Sequence, residues 1–346
     1  MGMLGYIISL LFPAIALFGL WTGGWSTAVF PLVGFILVPF VELFIVGRGT
    51  RGDDLQAHHR LVHDFVLLTG FCMAWVGWAV LVHQLSQPVT GAWNVFGMIV
   101  CAGILFGALG INIAHELGHR REKVFQRLAK TLLVLSLYMH FFIEHNRGHH
   151  RRMATPEDPA TARRGEVVYA FLFRSVVFGW LSAWRIEAHR LRGKGWKAHL
   201  KKNEMLHLQL IQVTAIIGVG LIFGTQVALG WVASAVVGFL LLEVVNYVEH
   251  YGLVREKLPN GKYERVSPRH SWTSDHPISR ALLFELPRHA DHHAHPARPY
   301  GSLRHFSDAH QLPTGYSGMI ILALVPPLFF RVMDHQLESE NQRLAA

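Results

Sequence analysis

The stretch from His115 to His150 decides how the chain is read. It opens with His115-Glu116-Leu117-Gly118-His119-Arg120 and closes with Glu144-His145-Asn146-Arg147-Gly148-His149-His150. Residues four apart on a helix share a face, so His115 and His119 can grip one metal ion. His145 and His149 repeat that spacing, and His150 adds a neighbouring donor. Two later clusters read as completions of the same site. They are His250 in Asn246-Tyr247-Val248-Glu249-His250-Tyr251-Gly252-Leu253, and His289, His292 and His293 in Arg288-His289-Ala290-Asp291-His292-His293-Ala294. Nine imidazoles exceed what one ion can use, which argues for two ions. Imidazole suits iron, zinc, copper and nickel alike, so the donors alone do not name the metal.

Around these clusters the chain is that of a membrane bundle. It has 346 residues, 51% hydrophobic and 16% charged, with 12% aromatics and 32 glycines. Runs long enough to span a bilayer lie near 4–21, 27–47, 62–83, 93–114, 205–224 and 227–248. The expected fold is an all-α integral membrane protein of six transmembrane helices, one domain over residues 1–346, capped on one side by histidines. The links Thr22 to Ser26 and Gln84 to Ala92 carry no Lys or Arg, whereas Arg48, Arg51, Arg60 and the segment 151–204 are basic. Positive residues mark the cytoplasmic side. All four histidine clusters then meet on the cytoplasmic face, as a shared site requires. The first run lacks a basic leader and a small-residue cleavage site, so it reads as a retained span. The net charge of +9 reports topology and anionic lipid here, not nucleic acid.

Several segments carry narrower expectations. Leu128 to Ile143 is apolar but short, and both of its ends must return to the side of His119 and His145. It is expected to lie under the site as a half-buried helix. Residues 167–184 resemble an interfacial helix, and the run from Gly318 to Phe330, broken by Pro326-Pro327, is expected to pack at the membrane surface. Gly103-x-x-x-Gly107, followed by Gly110, reads as a close helix-packing face. Cys72 and Cys101 form no C-x-x-C pair and read as small core residues. His58, His59 and His63 read as solvated; His276, His295, His305 and His310 flank the last cluster and read as possible outer partners of it. Glu42 is a polar group inside the second span with no role in the pattern.

Each cluster also has a rival reading. His115-Glu116-x-x-His119 fits a zinc protease, with glutamate as base, but that leaves the other clusters idle. A metal transporter would place polar residues across the membrane depth, whereas these histidines collect at one face. Glu243, Asn246 and His250 share one helical face at the end of a span, and polar groups there are functional candidates. Glu116, Glu144, Glu249 and Asp291 stand beside the histidines and are expected to accept the outer N–H of ligand imidazoles.

Taken together, H-E-L-G-H-R, E-H-N-R-G-H-H, N-Y-V-E-H-Y-G-L and L-P-R-H-A-D-H-H resemble the membrane-bound alkane 1-monooxygenases, within the wider membrane fatty-acid desaturase and hydroxylase superfamily. The likeness runs from about residue 90 to 300. The N-Y-x-E-H-Y-G-L element favours an alkane hydroxylase over a desaturase, while a hydroxylase of another substrate, such as xylene or a fatty acid, shares the metal chemistry. The last cluster reads L-P-R-H where L-Q-R-H is expected, a departure outside the ligands. The resemblance implies two irons bound by the catalytic residues His115, His119, His145, His149, His150, His250, His289, His292 and His293. It implies terminal hydroxylation of medium-chain n-alkanes to 1-alcohols with O2, in the bacterial inner membrane with the site facing the cytoplasm. It also implies electrons from rubredoxin, itself reduced by a NAD(P)H-dependent reductase; no cysteine set for a rubredoxin exists in this chain. The alkane would reach the irons through the apolar bundle, past Gly107 and near Asn112 and Asn246.

Overall fold

A computed structural model of the chain describes residues 5, 9–45, 60–88 and 91–345. In chain order the helices are α1 (Leu11–Thr22), α2 (Gly24–Glu42), α3 (Arg60–Ser86), α4 (Ala92–Gly118) and α5 (Lys123–Leu135). They continue as α6 (141–152), α7 (Val168–Arg190), α8 (Gly195–Lys202), α9 (Glu204–Phe223) and α10 (Thr225–His250). Short helices α11 (Pro277–Leu282), α12 (His289–Ala294) and α13 (Tyr316–Ala323) precede α14 (Pro326–Ala345). Strands β1 (Trp272–Thr273) and β2 (His310–Gln311) pair in parallel, Trp272 opposite His310.

Among the described residues, five helices are long and apolar enough to cross a bilayer: α2, α3, α4, α9 and α10. Their outer faces expose Ile36, Phe40, Phe65, Ile217 and Leu221 among others. Apolar surface on this scale is lipid-facing. The sixth expected span, 4–21, is represented by α1, whose 12 residues rise about 18 Å against a hydrocarbon core of roughly 30 Å. Residues 1–4 and 6–8 lie outside the described part, as do Arg48, Arg51, His58 and His59. Among the described residues, five helices are thus long enough to cross.

At the centre, α4 and α10 cross closely because small residues meet. A Cβ on Gly107 would stand 2.6 Å from the Gly238 carbonyl oxygen, and one on Gly103 would stand 2.6 Å from the Ser234 carbonyl. This is the packing face expected of Gly103 and Gly107. It brings the ends of two spans, with Asn112 to His119 and Asn246 to His250, against one another.

The segment after His119 holds no helix long and apolar enough to cross a bilayer. α5 has 13 residues, and the chain then turns through 136–140, with Leu137 at φ 49°, before α6 re-enters the histidine cluster. α5 is half buried as expected, with Ala129, Leu132, Leu133 and Leu135 inward, but the single helix expected over Leu128 to Ile143 is broken at 136–140. α7 exposes Tyr169, Phe173, Val177 and Phe178 along one side, as an interfacial helix does. Two further expectations are corrected. Cys101 is buried but Cys72 is exposed, because its side of α3 faces lipid. His63 is not solvated: it is buried and packs on Tyr300 at a ring separation of 4.8 Å.

Glu42 acquires a place. It is buried at the end of α2 and accepts the Ser279 backbone N–H at 2.6 Å and the Ser279 hydroxyl at 2.8 Å. The same hydroxyl accepts from the Tyr316 backbone at 3.1 Å. One carboxylate thus ties a lipid-facing span to α11 and α13 of the cap.

Candidate metal centre

The four clusters come from four elements and converge. α4 delivers His115, and His119 follows at its end; α6 delivers His145, His149 and His150; α10 ends on His250; α12 delivers His289, His292 and His293. Two groups result. One holds His115, His119, His145, His150 and His292, the other His149, His250, His289 and His293, with the donor atoms in each within 4.8 Å of one another.

Spacing alone did not foretell this division. The chain from Glu144 to His149 forms a π-helical turn, which widens the repeat beyond 3.6 residues. His145 therefore meets His150, five residues on, with their Nε2 atoms 2.9 Å apart. His149 turns to the second group, 3.3 Å from His293 Nε2. The adjacent pair His292 and His293 is divided the same way: His292 Nε2 lies 2.9 Å from that of His115, and His293 Nε2 lies 2.9 Å from that of His289.

These contacts fit imidazoles arranged to share a cation. A neutral imidazole offers one donor and one acceptor, so rings meeting nitrogen to nitrogen cannot all be satisfied by each other. A metal with M–N distances of about 2.0–2.1 Å separates adjacent ligand atoms by about 2.9 Å at right angles and about 3.4 Å at the tetrahedral angle. The observed Nε2 separations of 2.9 to 3.3 Å fall in that interval. Burial pushes the His119 imidazole down to about 3. Burial first, and then neighbouring imidazoles, hold His145, His150, His289, His292 and His293 well below the ordinary histidine range. Neutral imidazole is the form that binds metal. The residues fit two ions.

The carboxylates behave differently from expectation. Glu116 accepts from Arg120 Nε at 3.1 Å, Glu144 from Arg152 at 2.6 Å, and Asp291 from Arg298 at 2.6 Å and from the Arg304 backbone at 2.7 Å. These three fasten arginines, not cluster imidazoles, because buried carboxylates here lie within reach of guanidinium groups. Burial raises Glu144 to about 7, with Arg152 opposing. Glu249 reaches a histidine, but at the nitrogen turned to the cluster and not at the outer one: one oxygen lies 3.2 Å from His289 Nε2, the atom that also faces His250 and His293, and the other accepts from the Tyr316 hydroxyl at 2.8 Å. His276, His295, His305 and His310 bond to Ser274, Asp291, Asp275 and Asn341 respectively, outside the cluster.

The carboxylate that sequence reasoning missed is Asp158. It is buried and bonded to His149 Nδ1 at 2.8 Å, while also accepting from Thr161 at 2.6 Å. The available signal was an aspartate nine residues after His149 in an otherwise polar loop. Such an outer partner fixes the ring and its tautomer, and losing one costs about 10–100-fold in metal affinity. Asp158→Asn is accordingly expected to weaken binding at the four-histidine group by that factor and to spare the other. Metal titration of the purified apoprotein measures it, and equal weakening of both sites would contradict the assignment.

A cavity runs from the histidines between the spans. His115, His145, His289 and Glu249 lie at its inner end, and Ile104, Leu241, Leu242 and Phe35 line its length. Gly107, Asn112 and Asn246 all border it. Gly107 does so from the helix crossing itself.

The fatty acid desaturase family model matches residues 90–322. Alkane 1-monooxygenase 2 of Pseudomonas aeruginosa is 39% identical over 326 residues, covering 91% of this chain and 85% of that one. Alkane 1-monooxygenase 1 of Alcanivorax borkumensis is 38% identical over 343 residues, covering 96% and 84%. The hydroxylase component of a xylene/toluene monooxygenase from Pseudomonas putida is 30% identical over 266 residues, covering 76% and 69%. Similarity of this extent runs through the histidine clusters and the spans that carry them, so the chain is an oxidoreductase and belongs to the alkane 1-monooxygenase family of membrane metalloenzymes.

Proposed function

We propose that this chain hydroxylates the terminal carbon of medium-chain n-alkanes, giving 1-alcohols, at two irons held by the nine histidines. The observation that carries this reading is the cavity, whose aliphatic walls end on both histidine groups. An alkane has no polar handle, so only shape and dispersion can orient it. The bound irons would supply the activation of O2. The chain's own part is to hold the neutral imidazoles in two fixed sets, to exclude bulk water from the aliphatic channel, and to aim one methyl group at the histidines. An acyl headgroup, as a desaturase substrate carries, would find few polar partners along these walls.

The electron donor in this reading is rubredoxin, reduced by a NAD(P)H-dependent reductase. Arg151, Arg192, Lys194, Lys197 and Lys201 are exposed on the segment after the second histidine cluster. A basic face of this kind suits a small acidic protein by electrostatic steering. The same residues argue for a cytoplasmic site in the bacterial inner membrane, with residues 1–346 acting as a single domain.

One experiment addresses substrate, donor and side together. Membranes bearing the protein are prepared as inside-out and as right-side-out vesicles, supplied with rubredoxin, its reductase and NADH, and given octane under labelled O2. Labelled 1-octanol is expected from the inside-out vesicles alone. An unsaturated product from an acyl substrate, with no alcohol from octane, would replace the hydroxylase reading by a desaturase. Alcohol from right-side-out vesicles alone would reverse the orientation.

A further inference from the structure

Hydroxylation as proposed above balances as RH + O2 + 2e⁻ + 2H⁺ → ROH + H2O. One C–H bond and the O–O bond break, a C–O bond and O–H bonds form, and the donor protein supplies both electrons. Two protons must reach a buried centre and one water must leave it. The aliphatic cavity is ill suited to either.

A second cavity meets the histidines from another side. It has room for about 20 Å³ of water-sized occupancy and is lined by Tyr138, His140, Glu144, Ser175, Glu243 and Asn246. It touches His145 of the five-histidine group and His149 of the four-histidine group, and its rim includes the half-buried Ala160. Phe141, His145 and Asn246 line both cavities and so form the wall between them. The polar surface is built from separate elements: Tyr138 precedes α6, Ser175 is on α7, and Glu243 and Asn246 are on α10.

Glu243 organises this surface. It is 3% exposed near the end of a span and accepts from the Tyr138 hydroxyl at 2.8 Å, from the Ser175 hydroxyl, and from the Asn246 amide at 3.2 Å. A carboxylate in a membrane segment is costly and marks a polar pathway more often than a scaffold. A cavity with several polar partners is also the kind that holds ordered water. Glu243 itself neither lines the alkane cavity nor belongs to either histidine group.

We propose that this second cavity is a hydrated route by which protons reach the metal centre and product water leaves it, with Glu243 orienting the hydroxyl groups that line it. The proposal rests on the hydroxylation reading. Glu243 is a positioning residue here, separated from the histidines by the cavity it lines.

The test uses full-length protein in membranes, with variants Glu243→Gln, Glu243→Asp and Ser175→Ala. Metal content and kcat for alkane hydroxylation are measured in H2O and in D2O. Glu243→Gln and Ser175→Ala are expected to keep their metal while kcat falls at least tenfold, but by less than the factor of about 10²–10⁴ that complete loss of a proton-transfer step costs. The solvent isotope effect on kcat should rise in both, and Glu243→Asp should restore part of the rate. Metal-loaded variants with wild-type kcat and isotope effect would overturn the route. So would a Glu243→Gln protein that loses metal beside a Ser175→Ala protein that matches wild type, since that pattern is structural. Failure of the wild-type protein to form alcohol would sink the hydroxylation reading itself, and is read before any variant.

Discussion

Replacing His292 by alanine is expected to leave the purified protein with one metal ion in place of two and to lower alkane turnover at least a hundredfold. His292 is the member of the five-histidine group contributed by α12, and its Nε2 faces those of His115 at 2.9 Å and His150 at 3.1 Å. Truncation leaves a gap in a buried shell that water cannot fill with equal basicity. Metal activation is worth several kcal/mol, and each 1.36 kcal/mol is tenfold in rate, so about a hundredfold is a lower bound. His149→Ala should empty the other group instead, again abolishing turnover. Metal analysis of both variants beside an alcohol assay decides the matter. A fully active wild-type protein carrying a single zinc and no iron would refute the two-iron reading.

Gly107→Val should give little or no folded, metal-loaded protein. The new Cβ would stand 2.6 Å from the Gly238 carbonyl oxygen and 3.1 Å from its Cα. Both contacts are backbone, which cannot swing aside as a side chain would. Overpacking in a core costs about 1–3 kcal/mol where side chains can yield, and more is expected where two helix axes must part. α4 and α10 carry Asn112 to His115 and Asn246 to His250, so separating them disperses the histidines too. Gly110→Ala is the control, because nothing lies within 4 Å of its added Cβ. Loss of expression and metal in the first variant but not the second is the expected result. Normal metal content in Gly107→Val would show that the crossing can open. Chain length is better probed at Ile104, eleven residues before His115 and so about 16 Å up the helix. Ile104→Ala should shift products toward longer alkanes.

How far the site was readable depended on period. His115 and His119 obey the α-helical spacing and share a group, as do His289 and His293. His145, His149 and His150 do not, because the π-helical turn from Glu144 to His149 rotates them, and no residue type announces such a turn. The α4–α10 crossing was legible in its glycines. The partner of His149 was not: Asp158 reaches it through a loop whose path depends on Thr161 and on Ala154 at φ 56°. The carboxylates beside the histidines misled for a related reason. Adjacency in sequence puts Glu116, Glu144 and Asp291 near the cluster, but each is taken by an arginine four to eight residues further along the chain, Arg120, Arg152 and Arg298. Glu42 could not be placed at all until α11 and α13 were seen folded over the end of α2.

Two adjacent pairs, His149 with His150 and His292 with His293, are each divided between the two groups. Neighbouring residues share a backbone, so an ion that orders one ring also fixes the peptide unit that carries its neighbour toward the other ion. The two binding equilibria are therefore coupled, and thermodynamic reciprocity makes the coupling equal in both directions. Each group should still hold an ion alone, but with an affinity that depends on whether its neighbour is filled. Titration of the His292→Ala protein should then give the four-histidine group an affinity different from the one it has in the wild type with the other group filled; equal affinities would mean that the sites fill independently.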